Sequence, residues 1–256
     1  MKILVCIKQV PARDSQLRTR GGGKWIDSSD PAYEINEPDA YALEAALQFR
    51  EKHGGEAVAL CAGPESASSS IREALAKGAD RAIHVLEENL AAWDPLSLGR
   101  LLAAAAGTES PDLVFTGLQS DDLGFGQTGV VMAELMGLPH ASIVMQVELD
   151  GPGLRVKREL EDGWFQFVRL PLPALLTVQS GIGKLRYATL MGIKKAKTKE
   201  VKRLAPADLG VSPEKGAELL RLYPPRKSKQ TVMLAGTAKE QAARLVEKLK
   251  FEARVL

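Results

Sequence analysis

TGLQSDDLGFGQTGVVMAEL, residues Thr116 to Leu135, is entered by an apolar run (Asp112–Thr116, DLVFT) and left by an amphipathic one (Val130–Met136). That order predicts a strand, a glycine-bearing loop and the start of a helix. Exposed backbone N–H groups at a helix N-terminus form a site for an anion such as phosphate. Gly124, Gly126 and Gly129 let the backbone approach a ligand closely, and Gln127 and Thr128 carry side-chain donors for phosphate oxygens. A plainer reading of the same residues is an ordinary strand-to-helix turn capped by Asp121 or Asp122.

Upstream, short apolar strands alternate with helices. Ile3–Ile7, Ala57–Cys61, Arg81–Leu86 and Asp112–Thr116 read as buried strands, and Ala141–Leu149 as a fifth. Between them, helices run from a cap at Asn36 to about Lys52, from Gly63-Pro64-Glu65 through Lys77, and from Asp94-Pro95 to about Ala106. Such alternation predicts an α/β fold: a mostly parallel sheet with helices on both faces. Ligands of these sheets bind beyond the carboxyl ends of the strands. The loops after Ile7, Cys61 and Thr116, with Asn36–Asp39, are therefore the place for a nucleotide. The polar segment from Lys8 to about Tyr33 is long for a plain connection, which marks it as functional or ordered by a partner. A small hairpin is expected around Gly21–Gly23.

Downstream the pattern changes. Leu154–Leu160, Trp164–Leu170 and Ala174–Gln179 read as short strands, with a hairpin turn at Glu161-Asp162-Gly163, forming an antiparallel extension of the sheet. Ser180–Arg203 carries eight basic residues (Lys184, Arg186, Lys194, Lys195, Lys197, Lys199, Lys202, Arg203) against the single acid Glu200. Inside it lies an apolar island, Tyr187–Met191. A charge run is usually a solvated face; an apolar island within a basic rim reads instead as a docking surface for an acidic partner. In the last stretch, Leu204–Leu256, Pro206, Pro213, Pro224 and Pro225 mark an extended arm. Thr237–Glu240 is a capping box, and Ala242, Leu245, Val246 and Leu249 form one helical stripe. The expected division is a nucleotide-binding domain over 1–203, with its docking loop at 180–199, and an arm over 204–256 that lies on a partner subunit.

Composition bounds the alternatives. The 256 residues are 45% hydrophobic and 26% charged, with a net charge of +2. This is the balance of a globular chain with a buried core, and it makes no electrostatic case for nucleic acid. No apolar run nears the roughly 18–20 residues that span a bilayer, so membrane insertion is not expected. MKILVCIKQV has no cleavage site after its short apolar run; it reads as a first strand of a cytoplasmic protein. Cys6 and Cys61 read as buried thiols, and His53, His84 and His140 are too far apart to suggest a metal site.

Several motifs in order carry a resemblance. VCIKQV at the start, INEPDAYALEAAL at Ile35–Leu47, GADRAIHV at Gly78–Val85, DLVFTGLQSDD with GQTG across Asp112–Gly129, RYATLMGIKKAKTK from Arg186, and ADLGV at Ala207–Val211 stand in the order and spacing of one family. The chain resembles the beta subunit of electron transfer flavoproteins along essentially its whole length. The resemblance implies a Rossmann-like sheet of the adenine-nucleotide alpha-hydrolase type. It implies an alpha-subunit partner holding most of an FAD site, and an AMP in this subunit, replaced by a second FAD in electron-bifurcating members. Carried over, the nucleotide site involves Cys6, Asn36, Asp39, Ala62, Asp122, Gly126, Gln127 and Thr128, with Glu159 near the nucleotide. The docking residues are Arg186, Tyr187, Lys194, Lys195 and Lys197 around Leu190, the anchor for an acyl-CoA or other dehydrogenase. Electrons would pass on to a quinone oxidoreductase or similar acceptor. The role implied is an electron carrier, not a catalyst of bond chemistry. Two departures stand out: Gly124 and Gly126 sit where the family commonly has acidic or amide side chains, and Gly183-Lys184-Leu185 replaces Asn-Glu-Pro. Rival readings on the same sheet are an adenylate-forming or ATP-hydrolysing enzyme and a flavin-free nucleotide-binding protein.

Overall fold

A computed structural model describes residues 1–20, 23, 25–27, 31–90, 93–214, 216–223 and 231–256. The chain runs β1 (Lys2–Cys6), β2 (Gln9–Pro11), β3 (Thr19–Arg20), β4 (Trp25–Ile26), β5 (Tyr33–Ile35), α1 (Glu37–His53), β6 (Glu56–Gly63), α2 (Ser68–Lys77) and β7 (Arg81–Leu86). It continues through α3 (Pro95–Gly107), β8 (Leu113–Gly117), α4 (Thr128–Leu135), β9 (His140–Asp150), β10 (Gly153–Glu159), β11 (Phe165–Pro171) and β12 (Ala174–Val178). The remaining elements are α5 (Leu190–Ala196), β13 (Val201–Leu204) and α6 (Ala238–Glu247). One compact unit spans Met1–Leu222 and a second spans Tyr223–Leu256.

The first unit is an α/β layer structure on a nine-stranded sheet ordered β11-β10-β9-β12-β8-β1-β6-β7-β13. From β9 to β13 every pairing is parallel; β10 and β11 add an antiparallel edge. Residues alternate across the pleat. Ile3 and Val5 face a core with Leu43, Leu47, Ile71, Leu75 and Phe115, under α1 and α2. Leu4 faces a second core with Leu60, Ile83, Leu101, Val114 and Met132, under α3 and α4.

Local chemistry accounts for the helix ends. Asp94 accepts the Ser97 N–H at 2.7 Å with Pro95 next in line, so α3 begins as expected. In α1, Glu37 and Asp39 lie in the first turn and Arg50, Lys52 and His53 in the last, matching the helix dipole, and Gly54 ends it at a φ of 77°. Asn36 precedes α1 without capping it. Its side chain is used across the fold instead, donating to the Gln119 carbonyl and accepting the Asp121 N–H, each at 2.9 Å.

The structure corrects one further expectation and adds one strand. Ala174–Val178 is no part of the antiparallel extension: it lies between β8 and β9 and is parallel to both. All five of its residues are buried, the mark of an interior strand, whereas β10 and β11 alternate with solvent. Val201–Leu204, where the basic stretch ends, is an edge strand beside β7 that the residue pattern did not announce. The expected small hairpin pairs Thr19 with Ile26 and Arg20 with Trp25, while Gly21 and Gly22 at its turn lie outside the described residues. Pro224 and Pro225 also lie outside them.

The second unit holds α6, opened by the expected capping box: Thr237 Oγ1 accepts the Glu240 N–H, and Glu240 accepts the Thr237 N–H at 2.7 Å. None of its helical residues is buried, and Leu245, Val246 and Phe251 are exposed.

The first turn of α4 packs so closely that Gly129 has no room for a side chain. A Cβ there would lie 2.4 Å from Thr116 Oγ1 and 2.8 Å from Thr177 Cγ2. Gly129→Ala is expected to cost about 1–3 kcal/mol through overpacking. Urea unfolding of the purified protein measures it, and an unchanged midpoint would contradict this packing.

Candidate functional site

From β1 the chain adds β6 and β7 on one side, then crosses back to place β8 on the other. The carboxyl ends of β1 and β8 are thus the point where connections diverge, the crevice in which such sheets bind ligands. Asp39 sits there. One carboxylate oxygen accepts the Lys8 N–H (2.8 Å) just beyond β1, and the other accepts the Gly117 N–H (3.0 Å) at the end of β8. Gly117 must be glycine, since a Cβ would lie 2.3 Å from that second oxygen. Burial pushes the Asp39 carboxyl from 3.8 up to about 7, against the lowering effect of the Lys8, Asn36 and Gly117 hydrogen bonds and the Lys8 charge.

The loop after β8 forms the outer wall. Lys8 Nζ pairs with Asp122 Oδ1 at 2.6 Å, Arg13 pairs with Glu37, and the Glu37 N–H reaches Asp121 at 3.4 Å. Both aspartates are therefore turned toward the β1 side, and the plainer cap reading fails: Gln127 precedes α4, and no side chain caps the helix start. Gly124 and Gly126 take φ values of 65° and 63°, the left-handed region open to glycine. This turn delivers the chain to Thr128 with the first-turn N–H groups unclaimed by a cap, an arrangement suited to phosphate. β9 and β10 rise beside this edge: Val144 lies opposite Val178, while Asp150 and Gly153 pair well beyond it.

Not every expected residue presents a side chain to the crevice. Cys6 lies in the core with Sγ 3.9 Å from Met132 Sδ; burial, then the Asp39 and Cys61 charges, push its thiol far up. Cys61 is pushed up to about 12 by burial first. Neither thiol is poised for chemistry. Ala62 lies at the carboxyl end of β6, and Asn36, Asp39, Asp122, Gly126, Gln127 and Thr128 gather at the β1–β8 divide. Glu159, at the end of β10, is separated from β8 by β9 and β12. Lys8 was not expected; its signal was a lone cation directly after the first buried strand.

A second feature lies on the α2 side. Thr189 caps α5, accepting the Gly192 N–H at 3.0 Å. Tyr187, Leu190 and Met191 are 91%, 81% and 61% exposed, beside exposed Lys194, Lys195 and Lys197. Arg186, also expected among the docking residues, pairs its guanidinium with Glu44 and Glu51 of α1.

Comparison with known proteins is consistent with this layout. A model described as the electron transfer flavoprotein domain matches residues 24–209. An electron transfer flavoprotein subunit beta from Methylophilus methylotrophus is 38% identical over 258 residues, covering 96% of this chain and 97% of that protein. The chain belongs to the electron transfer flavoprotein beta-subunit family. The human beta subunit is 34% identical and the mitochondrial one of japonica rice 36%, each over 259 residues and all of this chain. The family resemblance of the sequence is thereby borne out, and with it a role in electron transfer. Among the described residues no helix is long and apolar enough to cross a membrane, and no cluster of metal-ligating side chains is present.

Asp39 gives a pH test of the crevice. Its carboxyl titrates higher in the folded chain than in the unfolded one, so its contribution to stability is full below about pH 4 and is lost as pH rises through about 7. The stability of the unaltered protein relative to Asp39→Asn is expected to fall between pH 5 and pH 8, measured by urea unfolding. A gap that widens toward pH 8 would place the raised titration elsewhere.

Proposed function

We propose that this chain is the nucleotide-holding and dehydrogenase-docking subunit of a heterodimeric, cytoplasmic electron carrier. Its partner is an alpha subunit that holds most of an FAD site, and its own crevice holds AMP. The observation that carries the reading is the uncapped start of α4, reached through two left-handed glycines, facing the divide between β1 and β8. The residues present suit an adenine nucleotide: backbone N–H groups and Thr128 for phosphate, and Lys8, paired with Asp122 on the loop, as a nearby positive charge.

FAD supplies the one- and two-electron chemistry when bound; the protein supplies binding, orientation and electrostatics. In this chain, Asp39 keeps the crevice backbone in place, and the Lys8–Asp122 pair holds the loop beside it. The exposed Leu190 side chain is an apolar anchor, and Lys194, Lys195 and Lys197 steer an acidic dehydrogenase surface toward it. Electrons arrive from acyl-CoA or other dehydrogenases and leave to a quinone oxidoreductase or similar acceptor. AMP, bound only to the folded subunit, stabilises it by mass action.

The deciding experiment is release of bound nucleotides by heat from the purified heterodimer. One FAD and one AMP per heterodimer are expected. Two FAD without AMP would assign a bifurcating type, for which the absent side chains at Gly124 and Gly126 leave space. No flavin would overturn the proposal. Thr128→Ala is expected to lower the AMP retained and the melting temperature, and unchanged AMP would remove Thr128 from the site. Leu190→Ala is expected to slow electron transfer from the dehydrogenase with flavin content and folding intact; an unchanged rate would reject the anchor.

A further inference from the structure

The docking stretch is pinned at both ends. At its start, the Arg186 guanidinium donates to both carboxylate oxygens of Glu44 (2.8 and 3.0 Å) and both of Glu51 (2.6 and 3.1 Å). The Arg186 backbone N–H adds a bond to Glu44 at 3.2 Å. The Glu44 side chain is only 5% exposed and also accepts from Gln48 at 2.7 Å. At the far end, Gly192 lies against α2 so closely that a Cβ would sit 2.3 Å from the Ala76 carbonyl oxygen. Ala196 is buried, and Lys199 Nζ donates to the carbonyls of Leu75 and Ala79 where α2 ends.

Between these anchors lie Tyr187, Leu190 and Met191. Side chains this exposed gain nothing from the interior that would hold their backbone in one shape. The frame must do so: before the exposed segment Leu185 packs against the core beneath α1, and Arg186 makes the directed bonds that aim the chain outward. Arg186 is also poorly placed to attract an acidic partner, because two carboxylates of its own chain already neutralise it.

We propose that Arg186 is a positioning residue: its fork over Glu44 and Glu51 hangs the docking stretch on α1 and presents Leu190 preformed to the partner. The proposal rests on the docking reading given above. A planar guanidinium can bridge two carboxylates with four directed bonds; an ammonium cannot. Preorganisation of this kind removes an ordering cost at encounter and leaves the chemistry at the flavin untouched.

The test uses the intact heterodimer, with electron transfer from an acyl-CoA dehydrogenase resolved into kcat and the KM for the heterodimer. Arg186→Lys keeps the charge but loses the fork. Glu51→Gln alters a half-exposed partner at the rim of the network, where refolding is not at stake. Each is expected to raise KM about three- to tenfold, with kcat and flavin content within about twofold of the unaltered heterodimer. The double variant is expected to be no worse than the worse single, since Arg186→Lys already removes the fork that Glu51→Gln weakens. Direct contact between Arg186 and the dehydrogenase requires the opposite sign for Glu51→Gln, because a freed guanidinium would lower KM. That result, a normal KM in both single variants, or strict additivity would overturn the positioning role. Leu190→Ala, run in parallel, separates the two levels. If it raises KM while the other variants do not, positioning fails alone; if it leaves KM unchanged, the docking reading falls and the proposal with it.

Discussion

The carboxylate of Asp39 joins the two strands between which the sheet changes direction. At that divide the Lys8 and Gly117 N–H groups lie at the ends of neighbouring strands whose loops part, so neither finds a partner in the ladder. Unsatisfied buried N–H groups would be costly. One buried side chain at the start of α1 satisfies both, and it does so only because Gly117 leaves the space. Burial resists ionisation of that carboxyl while the two N–H groups and Lys8 favour it, which is why its proton affinity sits near neutrality.

Fixing Asp39 also fixes α1, and α1 reaches both functional regions. Its first turn borders the crevice. Glu44 and Glu51, further along the helix, hold Arg186 and through it the start of the exposed 187–191 segment. One helix of 17 residues thus sets the geometry of the β1–β8 divide and of the exposed apolar 187–191 segment. The two regions face opposite physical demands. The crevice needs backbone donors held close and side chains removed; the docking tip needs apolar side chains kept out in solvent on a backbone that cannot relax inward. Glycines meet the first demand, and part-buried ion pairing to α1 together with contacts on α2 meets the second.

Where the chain forms strands and helices is largely legible in the order of its residues. The first strand around Ile3–Ile7 and the α3 start at Asp94-Pro95 follow from a continuous apolar run and from a cap followed by proline, both of which act within a few residues. Ala174–Val178 shows where that reasoning stops. Its four apolar residues and Thr177 declare a strand, but the turns around it suggested an antiparallel extension; insertion between β8 and β9 is a matter of which long-range partners are available. Val201–Leu204 was hidden by its charges, since an edge strand buries only one face.

The candidate site divides along the same line. Short-range rules act through neighbours in the chain, so the glycine loop, the helix start behind it and the apolar island in a basic rim could all be seen in the order of residues. Cys6, Asn36 and Arg186 could not be placed that way. A residue at a strand end points into the core or the crevice according to the pleat, and Cys6 points at Met132. A capping residue serves its own helix or a loop 83 residues away, and Asn36 serves the loop. A basic residue beside an exposed leucine attracts a partner or is consumed by its own chain, and only the packing of α1, which brings Glu44 within bonding distance of a residue 142 positions on, decided for Arg186. Charge and hydrogen-bonding capacity belong to the residue; the partner that uses them up is set by the fold.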